Sequence, residues 1–386
     1  MSNEIKALTM PKWGLAMTEG AVTSWLVEDG ADLREGDEIL EIETTKITNV
    51  YESPATGNLR RRTVEAGQTV PVGALLGVVA DRSVPETEID AFIARFQEEF
   101  AVEAAEAADA AGPEPQFADA GGRRLRYLAM GEGRGGGKGG GKGDEGEAPL
   151  VLIHGFGGDL NNWQFNQAAL AEDRAVYALD LPGHGGSTKH GVQGGVAELA
   201  EAVRDFLNAA GIQRAHLAGH SMGGAVALHL ASDEPARVVS VTLVCSAGLG
   251  EEINADYIEG FIAADRRKEF KPVLEMLFAD PSLVSRDMIE ELLKYKRLDG
   301  VGQALRAIAD ATFAGGRQVQ VFANDLDRIK VPVQAIWGAE DRIVPSAHAT
   351  AIPEPHRHVL GGAGHMVHME KAGEVNRLIS DFLTMR

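Results

Sequence analysis

The sequence predicts a multidomain chain: an all-β sandwich first, then a mostly parallel α/β domain. Three observations carry this. The first part contains an internal repeat, the composition changes after Ala80, and strand and helix patterns alternate from Pro149 onward.

The repeat comes first. VEDGADLREGDEILEIE (Val27–Glu43) lies over VEAGQTVPVGALLGVVA (Val64–Ala80) when shifted by 37 positions. Val27 matches Val64, Glu28 matches Glu65, Gly30 matches Gly67, Gly36 matches Gly73 and Ile42 matches Val79; upstream, Gly20 falls on Gly57. A fixed offset with matched glycines marks a duplicated unit. Apolar alternation broken by glycine at turn spacing predicts a short meander of strands per copy, with the matched glycines at positive φ. Two copies make a two-sheet β unit over residues 1–81. In EIETTKITN (Glu41–Asn49), Lys46 falls in the connection between the copies and is expected on a tight turn. On composition alone it reads as a solvated turn lysine.

Residues 82–115 are rich in Ala and Glu. Ile89, Phe92, Ile93, Phe96 and Phe100 fall at helical spacing, which predicts an amphipathic linker helix that docks on a domain or a partner chain. An acidic Ala/Pro tail is expected to follow it, broken by Pro113 and Pro115.

The second domain is expected over residues 116–386. GEGRGGGKGGGKGDEGE (Gly131–Glu147) lies between RRLRYLAM and PLVLIHG, two strand-like segments expected to pair as a hairpin around it. It is not a phosphate-binding loop: no Ser or Thr follows Lys138 or Lys142, and no helix follows the run. Beyond it, AVYALD, AHLAGH, VVSVTLVCSAG, PVQAIWGAED and RHVLGGAGH read as strands. VAELAEAVRDFLNAAG, MGGAVALHLASD and the C-terminal segment read as helices. Repeated βα units argue for a parallel sheet covered on both faces. Residues 248–327 interrupt them with further helices, notably EFKPVLEMLFAD and RDMIEELLKYK.

Three motifs at strand ends carry chemistry. Gly219-His220-Ser221-Met222-Gly223 is Gly-x-Ser-x-Gly between a strand and a helix, where small glycines permit a sharp turn that presents Ser221. His154-Gly155-Phe156-Gly157-Gly158 follows the first long strand; its Phe156 N–H, with that of Met222, is suited to an oxyanion hole, although a plain glycine turn fits the same residues. Asp341 and His365 each follow a later strand, in the order Ser, Asp, His. A serine hydroxyl needs a base, and the base needs a carboxylate to fix its tautomer. Glu340 and His368 are the rival acid and base. Asp180 and His184 are read as loop-shaping residues, His220 as packing beside the turn, and Cys245 as core.

The overall composition narrows the partners. A net charge of −20 argues against nucleic acid or an anionic membrane surface. One cysteine excludes a disulfide framework, and no apolar run has the length of a membrane span. The N-terminal MSNEIKALTM lacks the apolar core of a secretory signal, so a soluble cytoplasmic protein is the expectation. No metal site is expected.

MPKWGLAMTEGAVTSWLVEDGADLREGDEILEIETTKITN resembles a lipoyl domain, the swinging-arm carrier of 2-oxoacid and acetoin dehydrogenase complexes. The resemblance implies a flattened β-barrel of two quasi-symmetric halves, with lipoate attached to Lys46. Thr45 stands where the family more often has Asp. The related biotinyl domain expects Met-Lys-Met, which Thr45-Lys46-Ile47 does not match. VLIHGFGG, DLPGHGGS, AGHSMGG, WGAEDRIVP and GAGHMVHME resemble the α/β-hydrolase family, which implies a Ser221–His365–Asp341 triad under a helical cap at about 248–327. The two together resemble the acetyltransferase components of acetoin dehydrogenase complexes. That implies acetyl transfer from S-acetyl-dihydrolipoyl-lysine to coenzyme A. The implied partners are a thiamine-diphosphate-dependent acetoin dehydrogenase component and dihydrolipoyl dehydrogenase. The His-x-x-x-Asp-Gly motif of the usual 2-oxoacid acyltransferases is missing, since Asp29-Gly30 and Asp299-Gly300 lack the upstream His. The linker also does not resemble the subunit-binding domain of those complexes, so partner docking must work differently. The same residues would serve a lipoyl-linked esterase or thioesterase, and a non-catalytic carrier is the third reading.

Overall fold

The structure, a computed structural model, describes residues 5–12, 17, 19–43, 48–111, 113–131 and 147–384. The chain forms two compact units, residues 1–112 and 113–386.

The first unit has eight short strands: β1 (Lys6–Thr9), β2 (Glu19–Trp25), β3 (Asp32–Leu33), β4 (Glu38–Glu43), β5 (Thr48–Glu52), β6 (Gly57–Arg62), β7 (Thr69–Pro71) and β8 (Leu75–Ala80). They form two four-stranded sheets, ordered β1-β8-β6-β3 and β5-β4-β2-β7. The repeat does not fold as one meander per copy: each sheet takes two strands from each half. The 37-residue shift that carries Val27 to Val64 carries β2, β3 and β4 onto β6, β7 and β8, and so one sheet onto the other. The repeat is also legible in the core. Val22 and Leu59, Ile39 and Leu76, and Ile42 and Val79 are matched pairs, and all six are buried.

Gly30 and Gly67 share φ +89°, and Gly36 and Gly73 have φ +90° and +86°, as expected of left-handed turns. The Gly20–Gly57 pair has a different cause. Neither has positive φ; a Cβ on Gly20 would lie 2.9 Å from Ile42 Cγ2, and one on Gly57 would lie 2.7 Å from Val79 Cγ1. These two glycines make room for the matched core residues.

Helix α1 (Glu86–Ala111) completes this unit. Ile89, Phe92, Ile93 and Phe96 pack on Leu75, Val78, Ala80 and Val84, so the predicted helix docks on the β unit that precedes it. The guanidinium groups of Arg60 and Arg61 both hold Glu86 in its first turn. The Ala/Glu-rich stretch expected as a tail continues the helix to Ala111, consistent with the helix propensity of alanine.

The second unit is built on eight strands: β9 (Gln116–Ala120), β10 (Arg123–Met130), β11 (Leu150–Ile153), β12 (Val176–Leu179), β13 (Ala215–His220), β14 (Val238–Val244), β15 (Val333–Gly338) and β16 (Arg357–Leu360). Their order is β16-β15-β14-β13-β11-β12-β10-β9, with β11 to β16 parallel and β9 and β10 antiparallel at one edge. The expected β10–β11 hairpin does not form. β12 lies between them, with Met130 opposite Val176 and Leu150 also opposite Val176. β11 is buried along its whole length, which suits a central parallel position better than an antiparallel edge. The hairpin that does form joins β9 to β10 through Gly121-Gly122, at φ +57° and +77°.

The helices are α2 (Gln167–Leu170), α3 (Val196–Ala209), α4 (Met222–Asp233), α5 (Ala255–Ala263), α6 (Arg267–Glu275), α7 (Arg286–Lys296), α8 (Val301–Thr312), α9 (Val367–Glu370) and α10 (Ala372–Thr384). Helices α5 to α8 fall between β14 and β15, in the segment expected to form a cap. Among the described residues, no helix is long and apolar enough to cross a membrane.

Candidate active site

Ser221 sits between the end of β13 and the first residue of α4, at φ +52° and ψ −120°. Non-glycine residues avoid positive φ, and such strain persists only where the surroundings enforce it. The surroundings here are backbone. Ser221 N–H donates to Val244 O at 3.0 Å, and its own carbonyl accepts from Ala247 N at 2.9 Å and Gly224 N at 3.0 Å. The motif glycines are sterically required: a Cβ on Gly219 would lie 2.2 Å from Gly223 O, and one on Gly223 would lie 2.4 Å from Ile153 O.

Asp341 follows β15 and His365 follows β16. His365 Nδ1 lies 2.9 Å from Asp341 Oδ2, and both side chains are buried. The other carboxylate oxygen, Oδ1, accepts from Ile343 N at 2.8 Å and Val344 N at 3.0 Å. Asp341 is therefore locked by its own turn and faces the imidazole. Glu340 points elsewhere, accepting from Ala363 N at 3.0 Å. His368 is buried against Trp163 and His220, and burial lowers its pKa to about 3. Neither rival joins the Asp341–His365 pair.

The loop after β11 passes beside the serine. A Cβ on Gly155 would lie 2.8 Å from Ser221 Cβ. Gly157 N–H donates to His184 Nε2 at 3.1 Å and Gly158 N–H to Gly155 O at 3.2 Å. Between Gly155 and Gly157, the Phe156 N–H has no protein acceptor among the described residues. Met222 opens α4, so its N–H has no intrahelical acceptor and the helix dipole adds positive potential there. These are the two amides expected as an oxyanion hole.

Asp180 and His184 do more than shape their own loop. Buried Asp180 accepts from Leu160 N at 2.7 Å, Gly186 N at 2.7 Å and Arg126 Nε at 2.5 Å, and so ties the loop after β12 to the loop after β11. His154 Nε2 accepts from Leu181 N at 3.0 Å across the same seam. Burial pushes the pKa of His154 down and that of His184 well down, so both remain neutral acceptors.

Two neighbours were not legible as site residues in the sequence. His220 Nε2 lies 3.0 Å from His365 O. Cys245, at φ +43°, places its sulfur, an Asp341 oxygen and a His365 nitrogen within 4.8 Å of one another. Burial, reinforced by the Asp341 charge, pushes its thiol pKa well up, which makes it a neutral packing group, as expected.

Ser221, His365 and Phe156 line one cavity of about 740 Å³. Its far walls come from α5, α6 and α7, through Tyr257, Phe261, Leu274, Met288 and Leu292. Phe156 meets Phe261 edge-on at 5.7 Å, and Tyr295 Oη donates to Gly183 O at 2.7 Å; these contacts join the inserted helices to the loops below. A serine that shares a largely apolar cavity with an imidazole backed by a carboxylate, near two spare amides, is equipped for acyl transfer through a covalent ester.

Lys46 lies outside the described residues, in the connection 44–47. The strands on either side, β4 and β5, pair antiparallel up to Glu43 opposite Thr48.

Comparison with known proteins agrees with both units. The alpha/beta hydrolase fold family matches residues 148–372, and the family described as biotin-requiring enzyme matches residues 6–79. A meta-cleavage product hydrolase from Pseudomonas fluorescens is similar in structure, with a TM-score of 0.60 over 69% of this chain and 96% of that one; at 22% identity this shows the fold alone. The dihydrolipoyllysine-residue acetyltransferase component of the acetoin cleaving system of Pseudomonas putida is 50% identical over 99% of both chains. Its counterpart in Cupriavidus necator is 46% identical, over 99% of this chain and 98% of that one. With an N-terminal carrier-type unit and a hydrolase-fold domain matched end to end, the chain belongs to the family of dihydrolipoyllysine-residue acetyltransferase components of acetoin cleaving systems.

Proposed function

We propose that this chain moves an acetyl group from an S-acetyl-dihydrolipoyl thioester to coenzyme A in acetoin breakdown, and that Ser221, His365 and Asp341 carry the transfer. The observation that carries the reading is the strained Ser221 sharing one cavity with His365, whose Nδ1 is held 2.9 Å from Asp341. Lipoate attached to Lys46 would supply the thiol that brings the acetyl group. The unit suits such an arm: a rigid two-stranded ladder ends at Glu43 and Thr48, on either side of the connection that contains Lys46. A tethered arm raises the local concentration of the acyl group at a second site.

In this mechanism His365 Nε2 takes the Ser221 proton as Oγ attacks the thioester carbonyl. The amides of Phe156 and Met222 hold the negative oxygen. The C–S bond breaks, and His365 returns the proton to the departing thiolate, leaving an acetyl ester on Ser221. The thiol of coenzyme A then gives its proton to His365 and attacks that ester; the C–O bond breaks and Ser221 Oγ is reprotonated. Asp341 fixes the imidazole tautomer and stabilises its charged form. The apolar walls from α5 to α7 disfavour water as the second nucleophile. The partners in this reading are a thiamine-diphosphate-dependent acetoin dehydrogenase component and dihydrolipoyl dehydrogenase.

A partition experiment tests the reading. S-acetyl-dihydrolipoamide is supplied with and without coenzyme A, and acetyl-CoA and acetate are quantified. Acetyl-CoA as the main product is expected. Acetate at an equal rate with or without coenzyme A would make the site a thioesterase.

A further inference from the structure

This inference rests on the transferase reading and concerns what the site recognises in its acceptor. The cavity over Ser221 combines apolar walls with the neutral polar side chains of Asn161, Asn162 and Gln164, and its charged lining consists of Arg126, Asp159, Asp287, Glu291 and Lys294. Both cations are already engaged. Arg126 Nε sits 2.5 Å from buried Asp180, and Lys294 Nζ sits 2.6 Å from Glu291. Arg126 also lies 3.7 Å from Asp159, so exposed Asp287 is left without a cation, and in the lining the carboxylates outnumber the cations three to two.

The start of α7 reinforces this. A helix N-terminus at a cavity edge is a natural seat for a phosphate. Here it is already satisfied: the Ser285 side chain accepts from Met288 N at 3.1 Å, and Asp287 occupies the first turn. The positive end of that dipole faces a carboxylate of the protein. Coenzyme A carries three phosphates at its nucleotide end, whereas its pantetheine arm is a slender, uncharged amide chain ending in the thiol. The arm matches the apolar cavity, and the nucleotide is opposed by the acidic rim.

We propose that the site recognises its acceptor through the pantetheine arm alone, with the phosphates of coenzyme A left outside. The substrate class is then pantetheine-type thiols, of which coenzyme A is one member. Acidic repulsion at the rim also sets the sign of the salt effect. Screening by salt, with a Debye length of about 10 Å at 0.1 M, relieves the repulsion of coenzyme A and leaves uncharged pantetheine untouched. A site built from Arg or Lys to hold phosphate gives the opposite sign.

The test uses the full lipoylated chain with S-acetyl-dihydrolipoamide as donor. Coenzyme A and pantetheine are compared as acceptors at about 20 mM and about 200 mM salt, a range over which screening changes strongly. The expected kcat/KM for pantetheine is within about threefold of that for coenzyme A. The KM for coenzyme A is expected to fall as salt rises, and that for pantetheine to stay level. Asp287→Lys is expected to shift preference toward coenzyme A at low salt. A pantetheine kcat/KM more than about 30-fold below that of coenzyme A, or a coenzyme A KM that climbs with salt, overturns the proposal and leaves transfer itself intact. Acetate as the sole product with either thiol overturns the transferase reading and this one with it.

Discussion

His220 Nε2 lies 3.0 Å from the carbonyl oxygen of His365. A carbonyl only accepts, so His220 carries its proton on Nε2 and donates. The residue before the serine thus anchors the loop that bears the imidazole, and the ring centroids lie 4.7 Å apart. His220→Ala removes the tether and is expected to lower kcat by about 10- to 100-fold with little change in KM, as misplacing a reacting group does. His220→Gln, whose Nε2 can make the same bond, should recover much of the loss. Equal activity in the Ala and Gln variants would show that the ring acts only by filling space.

Ser221→Ala is expected to abolish the acyl-enzyme seen by intact-mass measurement after S-acetyl-dihydrolipoamide is added. Transfer should fall by at least about a thousandfold, the usual cost of removing a nucleophile from such a triad. Unchanged transfer would mean that His365 activates coenzyme A directly.

Gly155→Ala puts a methyl group 2.8 Å from Ser221 Cβ, with His220 Nδ1 at 3.0 Å on another side. Neither neighbour is the free end of a flexible chain. The loop must shift, taking the Phe156 amide with it. A kcat loss of about 100-fold is expected if that amide stabilises the oxyanion. Activity near that of the unaltered protein would remove Phe156 from the mechanism.

Acid should destabilise the second unit at pH values where most carboxylates are still ionised. Burial lowers the pKa of His216 to about 4 and of His368 to about 3, against an unfolded value of 6.5. Between those limits the unfolded chain binds protons that the folded chain refuses, so stability is full above the unfolded pKa and falls with pH below it. At about pH 5 each of these histidines accounts for about 2 kcal/mol of lost stability. Denaturant melts at pH 7 and pH 5 should show the difference, and His216→Gln should reduce it. A flat profile over that range would contradict the buried neutral state.

Gly30 and Gly67 offer a paired test of the repeat. Both have φ +89°, and a Cβ on either meets nothing within 4 Å, so alanine there costs only the left-handed backbone penalty, about 1–2 kcal/mol. Gly30→Ala and Gly67→Ala should lower the melting temperature of the first unit equally. Unequal losses would show that the two halves differ in energy despite their matched geometry.

The placement of Ser221, Asp341 and His365 after their strands was legible because its signals are local. Gly219 and Gly223 announce a turn that only glycine fits, and Asp341 and His365 each close a strand visible in its own residues. Strand pairing was not local. Nothing in RRLRYLAM or PLVLIHG says that Val176–Leu179 inserts between them, since parallel neighbours are chosen by burial across the whole sheet. The β9–β10 hairpin had a readable sign in Gly121-Gly122. His220 was read as packing because a single histidine beside a serine has no partner visible in sequence; its acceptor lies 145 residues away. The helical spacing of Ile89 to Phe96 announced a buried face, but the partner, Leu75 to Val84, emerged only with the fold.

The sharing of strands between the two sheets of the first unit sets a limit on how it can be divided. A chain severed between residues 43 and 48 yields two fragments, each owning the central pair of one sheet and the two outer strands of the other. Each keeps one ladder, β2–β4 or β6–β8, but its outer strands lose their partners, β1 and β3 without β8 and β6, β5 and β7 without β4 and β2, so each is a borrower. Expressed by itself, either fragment must recruit a second molecule and assemble as an exchanged pair, reproducing between two chains the pseudo-twofold arrangement that one chain now holds.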